Sequence, residues 1–470
     1  MTEPQGSDDA VLDRAVAHAR RWLASLEDRR VPADGTPADV VTRLLAPGAA
    51  GSSLPERGAD PSEVLDRLAA AVEPGLMASQ SGRFFGWVMG STLPAAIAAD
   101  WLVAAWDQNA GMRDATPGVV AVEEMAGAWI LELLGLPPRS AVGFTTGATM
   151  ANFTCLAAAR DRVLRDGGWD PADGLAGGPR IRVLVGEERH GSVDLALRYL
   201  GLGAPRTVRS DAQGRLDVDA LAAALAEGAG PTIVCLQAGN IHSGAFDPFR
   251  AAAEAAHAAG AWVHVDGAFG LWAAASSALG LTAGLADADS WATDAHKTLN
   301  TPYDCGIAII RDAPAAVTAM GVHAAYLLTS SAVDPHELVP EMSRRARGVP
   351  VWAALSVLGA DGVRSLVNGL VSAARGIAEG VGRIPGATVR NEVVYTQVSA
   401  AFETDERTRE VFRRILEEGR VMPSLSAWRG RTVIRFSVSS WRTGRREVEE
   451  TIDAVARAAE PAATAEPAAS

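Results

Sequence analysis

Between about residue 115 and residue 310 the sequence alternates short β-branched runs with longer amphipathic ones, and that alternation leaves few folds open. The runs IRVLVGEE, TIVCLQAG, AWVHVDGAF and CGIAII are strand-length and apolar at nearly every position. Strands buried on both faces read this way, so a mostly parallel sheet covered by helices is expected. The clearest helix is TPGVVAVEEMAGAWILELLGLPP, with Thr116 as N-cap, Pro117 at the first helical position, and Gly135 and Pro137 at its exit. Val122, Met125, Trp129, Ile130 and Leu133 form its apolar stripe. An Ala-rich helix over 249–259 feeds AWVHVDGAF. After MSRRARGVPVWAALSVLG the pattern becomes a long helix and then the strands ATVRNEVVYTQVSA and TVIRFSVSS, which predicts a second, smaller α+β domain. The first ~80 residues carry helical patterns such as Leu12, Val16, Trp22, Leu23 and Leu26, broken by PADGTPADV and GAAGSSLPERGADP. That segment has to pack on the main body or on a second subunit.

Charge and composition narrow the function. A chain of 470 residues with 48% hydrophobic and 21% charged residues is a folded globular protein. Its net charge is -13, and Arg344, Arg345 and Arg347 make the only tight basic cluster, so a nucleic-acid partner is excluded while a small anion is not. The longest apolar stretch, LPAAIAADWLVAAW, is interrupted by Asp100 and is too short for a membrane span, and MTEPQGSDDA is no signal peptide. Cys155, Cys235 and Cys305 show neither metal-ligand nor disulfide spacing. No metal site is expected, and the expected compartment is the cytoplasm. The closing AAEPAATAEPAAS has nothing to bury and reads as a frayed tail.

Four stretches carry chemistry. In VGFTTGATMANFTCLAAARDRVL a strand runs through Gly147, Ala148 and Thr149 into a helix, which is either a plain cap or a cup for phosphate. The P-loop lysine and the dinucleotide glycine spacing are both missing. AWVHVDGAFG ends a strand on Asp266, at the edge where open α/β sheets bind ligands; His264, two residues earlier, reads as structural. ADSWATDAHK brings His296 and Lys297 to the same edge. A lysine there is costly unless employed, and a desolvated, neutral amine attacks aldehydes. VLVGEERHGSVDLALRYLG adds His190 between a strand and a helix. A lysine for an aldehyde, an acid for a ring nitrogen, a helix start for a phosphate and an imidazole to stack are together what pyridoxal phosphate requires.

In the order GATMAN, ERHGSVD, HVDGAFG, DAHK, the chain resembles the pyridoxal-phosphate-dependent amino-acid decarboxylases related to the aromatic-L-amino-acid and glutamate decarboxylases. The resemblance covers roughly residues 80–440. It implies the aspartate aminotransferase fold, fold type I: a large α/β domain with a mostly parallel seven-stranded sheet, a small C-terminal α+β domain and a helical N-terminal segment. It also implies Lys297 as the Schiff-base lysine, Asp266 as partner of the pyridine nitrogen, His190 as the stacking imidazole, and Gly147, Ala148, Thr149 and His296 around the phosphate. The family is homodimeric with shared active sites. The expected division is then 1–85, a helical segment packing across the dimer; 86–325, the cofactor domain; 326–348, a mobile catalytic loop; 349–458, the small domain; and 459–470, a disordered tail. The reaction implied is decarboxylation of a free L-amino acid, aromatic or apolar, through an external aldimine.

Two departures from the family bear on the product. Family decarboxylases carry a loop tyrosine ahead of the arginine-rich segment, whereas SSAVDPHELVPEMSRRARG has none and offers Pro335 and His336 nearest that place. His336 is a candidate acid in its stead. Relatives without the tyrosine form an aldehyde by decarboxylation-dependent oxidative deamination, and transamination is a further route with the same cofactor. In QAGNIHSGAFDP, His242 stands where aromatic decarboxylases have a threonine-rich run, and is a candidate catalytic or substrate residue. For the substrate, Phe85 and Trp87 are candidate pocket walls, and Arg347 and Arg435 candidate carboxylate binders.

Overall fold

The computed structural model describes residues 8–45, 54–322 and 332–461. The large sheet is built from β1 (Ala141–Thr145), β2 (Arg182–Gly186), β3 (Arg206–Val208), β4 (Thr232–Gln237), β5 (Trp262–Asp266), β6 (Ser290–Asp294) and β7 (Gly306–Ile310). Their order is β1-β7-β6-β5-β4-β2-β3, and only β7 runs against its neighbours. Alternate residues feed two separate cores. Val183, Val185, Ile233 and Cys235 pack on one face, with Ala151, Cys155 and Leu156 of the helix Ala148–Asp166; Leu184, Val234, Val263 and Ile309 pack on the other. Burial on both faces is why these strands read as continuous apolar runs.

The helix Pro117–Leu133 departs from expectation in two details. Its buried side is Val119, Val120, Glu123, Ala126, Gly127, Ile130 and Leu131, whereas Met125 is 48% exposed and Trp129 stacks on Trp352 at 6.1 Å. A helix apolar nearly all round has no single stripe to read. Thr116 precedes it but does not cap it; its hydroxyl donates to the Asn109 carbonyl at 2.7 Å. The long helix Gly348–Gly382 is two helices joined at Gly359, where φ is +59°.

The small sheet is β8 (Thr388–Val389), β9 (Gln397–Ala401), β10 (Ser424–Trp428) and β11 (Arg431–Ser437), antiparallel throughout in the order β10-β11-β9-β8. Arg429 and Gly430, both at positive φ (48° and 74°), make the two-residue turn between β10 and β11. In the N-terminal segment, the helices Asp8–Ser25, Pro37–Leu44 and Pro61–Val72 bury little, Ala71 being the one buried residue of the last two. The chain around them is tied to its own small-sheet layer: Leu26, Val31, Ala78 and Phe84 form a core with Met422, and Val31 N–H donates to the Gly419 carbonyl at 2.8 Å. The proposed tail beyond Pro461 and the loop residues 326–331 lie outside the described residues.

Candidate active site

Because β1, β2, β4, β5 and β6 are mutually parallel, their carboxyl ends share one edge, and each expected cofactor residue follows one of them. β1 leads through Gly147 into the helix Ala148–Asp166, β2 into His190, and β6 into His296 and Lys297; β5 ends on Asp266. The cup is tight. A Cβ on Gly306 would lie 2.3 Å from the Gly147 carbonyl carbon, and one on Gly90 2.0 Å from the Lys297 carbonyl oxygen. Only glycine lets these backbones approach.

Asp294, the last residue of β6, joins these groups and escaped the sequence reading. Its carboxylate is 2.9 Å from Lys297 Nζ, and it accepts the Ala148 N–H at 2.6 Å. His296 Nδ1 accepts the Cys305 N–H at 3.1 Å, which leaves the ring proton on Nε2, 3.5 Å from Asp294. Burial holds His296 below the ordinary imidazole value, against the pull of Asp294, so the ring is neutral at pH 7. Tyr303 stacks on it at 4.1 Å, its hydroxyl pushed up to about 12 by burial and then by Asp294. The signal for Asp294 lay in the sequence as an acid three residues ahead of Lys297, at the very end of a buried strand.

Asp266 is 5% exposed and accepts from Ala268 N–H at 3.1 Å, Asn152 Nδ2 at 3.1 Å and Ser192 Oγ at 3.4 Å. Asn152 and Ser192 were not singled out, although they lie within GATMAN and ERHGSVD, because their contacts with Asp266 are not visible in the sequence. His190 caps its own helix, its Nδ1 accepting the Ser192 N–H at 3.2 Å. His264 is structural as expected: buried, with Nδ1 2.9 Å from Ser290 Oγ and Nε2 2.9 Å from Asn152 Oδ1. Burial pushes it down to about 3.

The remaining candidates lie elsewhere or are otherwise engaged. Phe85 is no pocket wall: it is fully buried against Phe436 at 5.9 Å in the small-sheet core. Arg347 is paired with Asp304 at 2.9 Å, so its charge is already matched. His336 is 5% exposed in the turn Pro335–Glu337, its N–H donating to the Gly111 carbonyl at 3.1 Å and its Nδ1 without a partner among the described residues. That end of the expected mobile loop is packed down, because Asp334 both caps the turn and accepts the Arg113 N–H at 2.8 Å. His242 contacts the small sheet, with Nε2 2.9 Å from Ser426 Oγ and its ring stacked on Trp428 at 5.9 Å. Burial, then Arg435, pushes it down to about 4. Trp87 is 50% exposed at φ +53°, and its carbonyl accepts from Arg435 Nη2 at 3.2 Å. Arg435 is 5% exposed, pairs with no carboxylate among the described residues, and is pushed down to about 10 by burial.

A helix start beside Gly147–Thr149, an amine at Lys297 and a carboxylate at Asp266 thus share one sheet edge, a set that suits an anion, a carbonyl and a basic ring nitrogen, with the Ala148 N–H held by Asp294 in this structure. Residues 48–402 match the pyridoxal-dependent decarboxylase conserved domain. The chain belongs to that family. It is 27% identical to tryptophan decarboxylase 1 of Oryza sativa subsp. japonica, over 93% of this chain and 91% of that one. With phenylacetaldehyde synthase of Arabidopsis thaliana it shares 24% over 87% and 89%. The crystal structure of Oryza sativa TDC with PLP and tryptamine has the same fold, at TM-score 0.90 and 24% identity over 98% of this chain and 99% of that one. This decarboxylase is thus a pyridoxal-phosphate-dependent carboxy-lyase on the fold type I scaffold. Among the described residues no helix is long and apolar enough to cross a membrane.

Proposed function

We propose that this decarboxylase takes a free L-amino acid with an aromatic or other apolar side chain and releases carbon dioxide and the amine. The cofactor, when bound, supplies an electron sink for the carbon that loses its carboxylate. Lys297 would hold it through Nζ, and Ala148, Thr149 and His296 would bind its phosphate beside Gly147. Asp266, which accepts from Ala268, Asn152 and Ser192, would face the ring nitrogen, and His190 would stack on the ring. The observation that carries the substrate reading is Arg435, a buried guanidinium with no acidic partner among the described residues, next to Trp87 and the His242–Trp428 ring pair. A buried cation wants an anion, and the aromatic surroundings suit an apolar side chain beside an α-carboxylate.

A second reading rests on Pro335 and His336. By the resemblance to the family, Pro335 and His336 are the positions nearest the missing loop tyrosine, and the buried His336 ring makes no hydrogen bond to Lys297, Asp266 or His190 among the described residues. A poorly supplied proton favours attack by dioxygen, giving aldehyde, ammonia and hydrogen peroxide with the carbon dioxide. One assay separates the two: a panel of amino acids scored for carbon dioxide, amine, aldehyde and peroxide. Amine with carbon dioxide supports the first reading, aldehyde with peroxide the second, and keto acid without carbon dioxide refutes both.

We also infer a homodimer. Trp101, Leu102 and Trp106 on the helix Pro94–Trp106, with Val357 on the helix packed beside it and Met125 on the helix beyond that, are 42 to 66% exposed. That is a large apolar area for one subunit to leave in water. Sedimentation at equilibrium tests it, a monomer being the refuting result.

A further inference from the structure

Glu188 follows β2, two residues ahead of His190, and its carboxylate serves three donors from distant parts of the chain. Oε2 accepts the Trp428 indole N–H at 2.9 Å and Asn240 Nδ2 at 3.2 Å, while Oε1 is 2.7 Å from Arg429 Nη2. Asn240 belongs to the turn after β4, which also carries His242; Trp428 and Arg429 form the tip of the β10–β11 hairpin. The positive φ of Arg429 is what turns this tip, and Arg429 also donates to the Asp211 carbonyl. Gly214 closes over the junction: a Cβ there would lie 2.6 Å from Glu188 Oε2 and 2.7 Å from Asn240 Nδ2.

The neighbours of Glu188 in sequence hold the turn to the large sheet alone. Glu187 accepts the Ser210 N–H at 3.0 Å, and Arg189 pairs with Asp194 at 2.9 Å. Glu188 is the residue of this turn that reaches the small sheet. We propose that Glu188 is a positioning residue: it clamps the small-sheet hairpin onto the turn carrying His190, and so sets the orientation of His190 and of the His242–Trp428 ring pair together. The proposal rests on His190 lying against the cofactor ring. A clamp suits this place because the substrate side of the site is divided between two sheets, and a misplacement of about 1 Å there costs on the order of 100-fold in rate.

The test uses the cofactor-loaded enzyme and four variants: E188A, E188Q, W428F and E188A/W428F. Visible circular dichroism of the bound cofactor, which reports its orientation, is read alongside kcat per loaded site and KM. E188A is expected to change the dichroism and lower kcat about 10- to 100-fold with KM moving less. E188Q keeps an oxygen for Trp428 and Asn240 but turns an amide N–H toward Arg429, so it is expected between E188A and wild type in both readouts. The double variant is expected to be no worse than E188A alone, because both changes cut the same bond. Unchanged dichroism and unchanged kcat in E188A, or additive losses in the double variant, overturn the clamp. The control H190A separates the two readings. If H190A leaves dichroism and kcat unchanged, the role of His190 fails; if H190A changes them and E188A and W428F do not, the clamp alone fails.

Discussion

His264 makes acid stability a direct readout of the packing behind Asp266. Its ring is wholly buried; Trp262 Nε1 donates to Ser290 Oγ at 2.9 Å, so the serine hydroxyl is left to donate to His264 Nδ1. Nε2–H then donates to Asn152 Oδ1, and Asn152 Nδ2 to Asp266. Burial lowers the folded pKa from 6.5 to about 3. With the folded value below the unfolded one, the unfolded chain takes up the proton first, so stability is intact above pH 6.5 and is lost as pH falls toward 3. At 1.36 kcal/mol per unit the full loss is about 5 kcal/mol, and about 3 kcal/mol of it has gone by pH 4.5. His264→Gln keeps a donor and an acceptor but does not titrate. Urea unfolding of both proteins at pH 7.5 and 4.5 is the assay, and comparing the two losses cancels the carboxylates they share. Wild type is expected to lose about 3 kcal/mol more than H264Q over this interval. Parallel losses would refute the assignment of a neutral, buried imidazole.

Three further outcomes are expected. Glu123→Ala removes the partner of Arg344, a pair buried to 3% and 1%, and also the acceptor of the Gly348 N–H at 2.9 Å; an uncompensated buried guanidinium should cost about 3–5 kcal/mol in a urea titration. Gly90→Ala drives a Cβ into the Lys297 carbonyl, and a cost of about 1–3 kcal/mol or more together with weakened cofactor retention on dialysis is expected. Asp266→Asn keeps the shape of the site but not its charge, so kcat should fall on the order of 100-fold with thermal stability nearly kept, as melting and turnover measurements on one preparation will show.

How much was legible depended on whether a residue's role was local. Lys297, Asp266 and His190 were picked out because each ends or closely follows a strand that reads as a strand, and parallel strands bring their ends together without further information. The helix Pro117–Leu133 was found but its face was not, since a nearly all-apolar helix does not say which side meets the sheet. Phe85 was misread for a similar reason: an aromatic can wall a pocket or fill a core, and its contact with Phe436 is made across about 350 residues. Arg347 was offered as a carboxylate binder, but the pairing of charges is a property of space, and Asp304 is what matches it.

Alternating periodicity and strand-end chemistry in the sequence by itself determined the layered α/β architecture and the cofactor, and pointed to Lys297, Asp266 and His190 as candidates to meet it. Tertiary structure alone decided which polar groups stand behind them. Asp294 beside Lys297, Asn152 between His264 and Asp266, and Glu188 under the hairpin tip lie inside DAHK, GATMAN and ERHGSVD, but the motifs do not say what each one contacts. Their roles come from desolvation: once buried, each must find its donors among residues that folding brings near, and no local pattern records which ones those are.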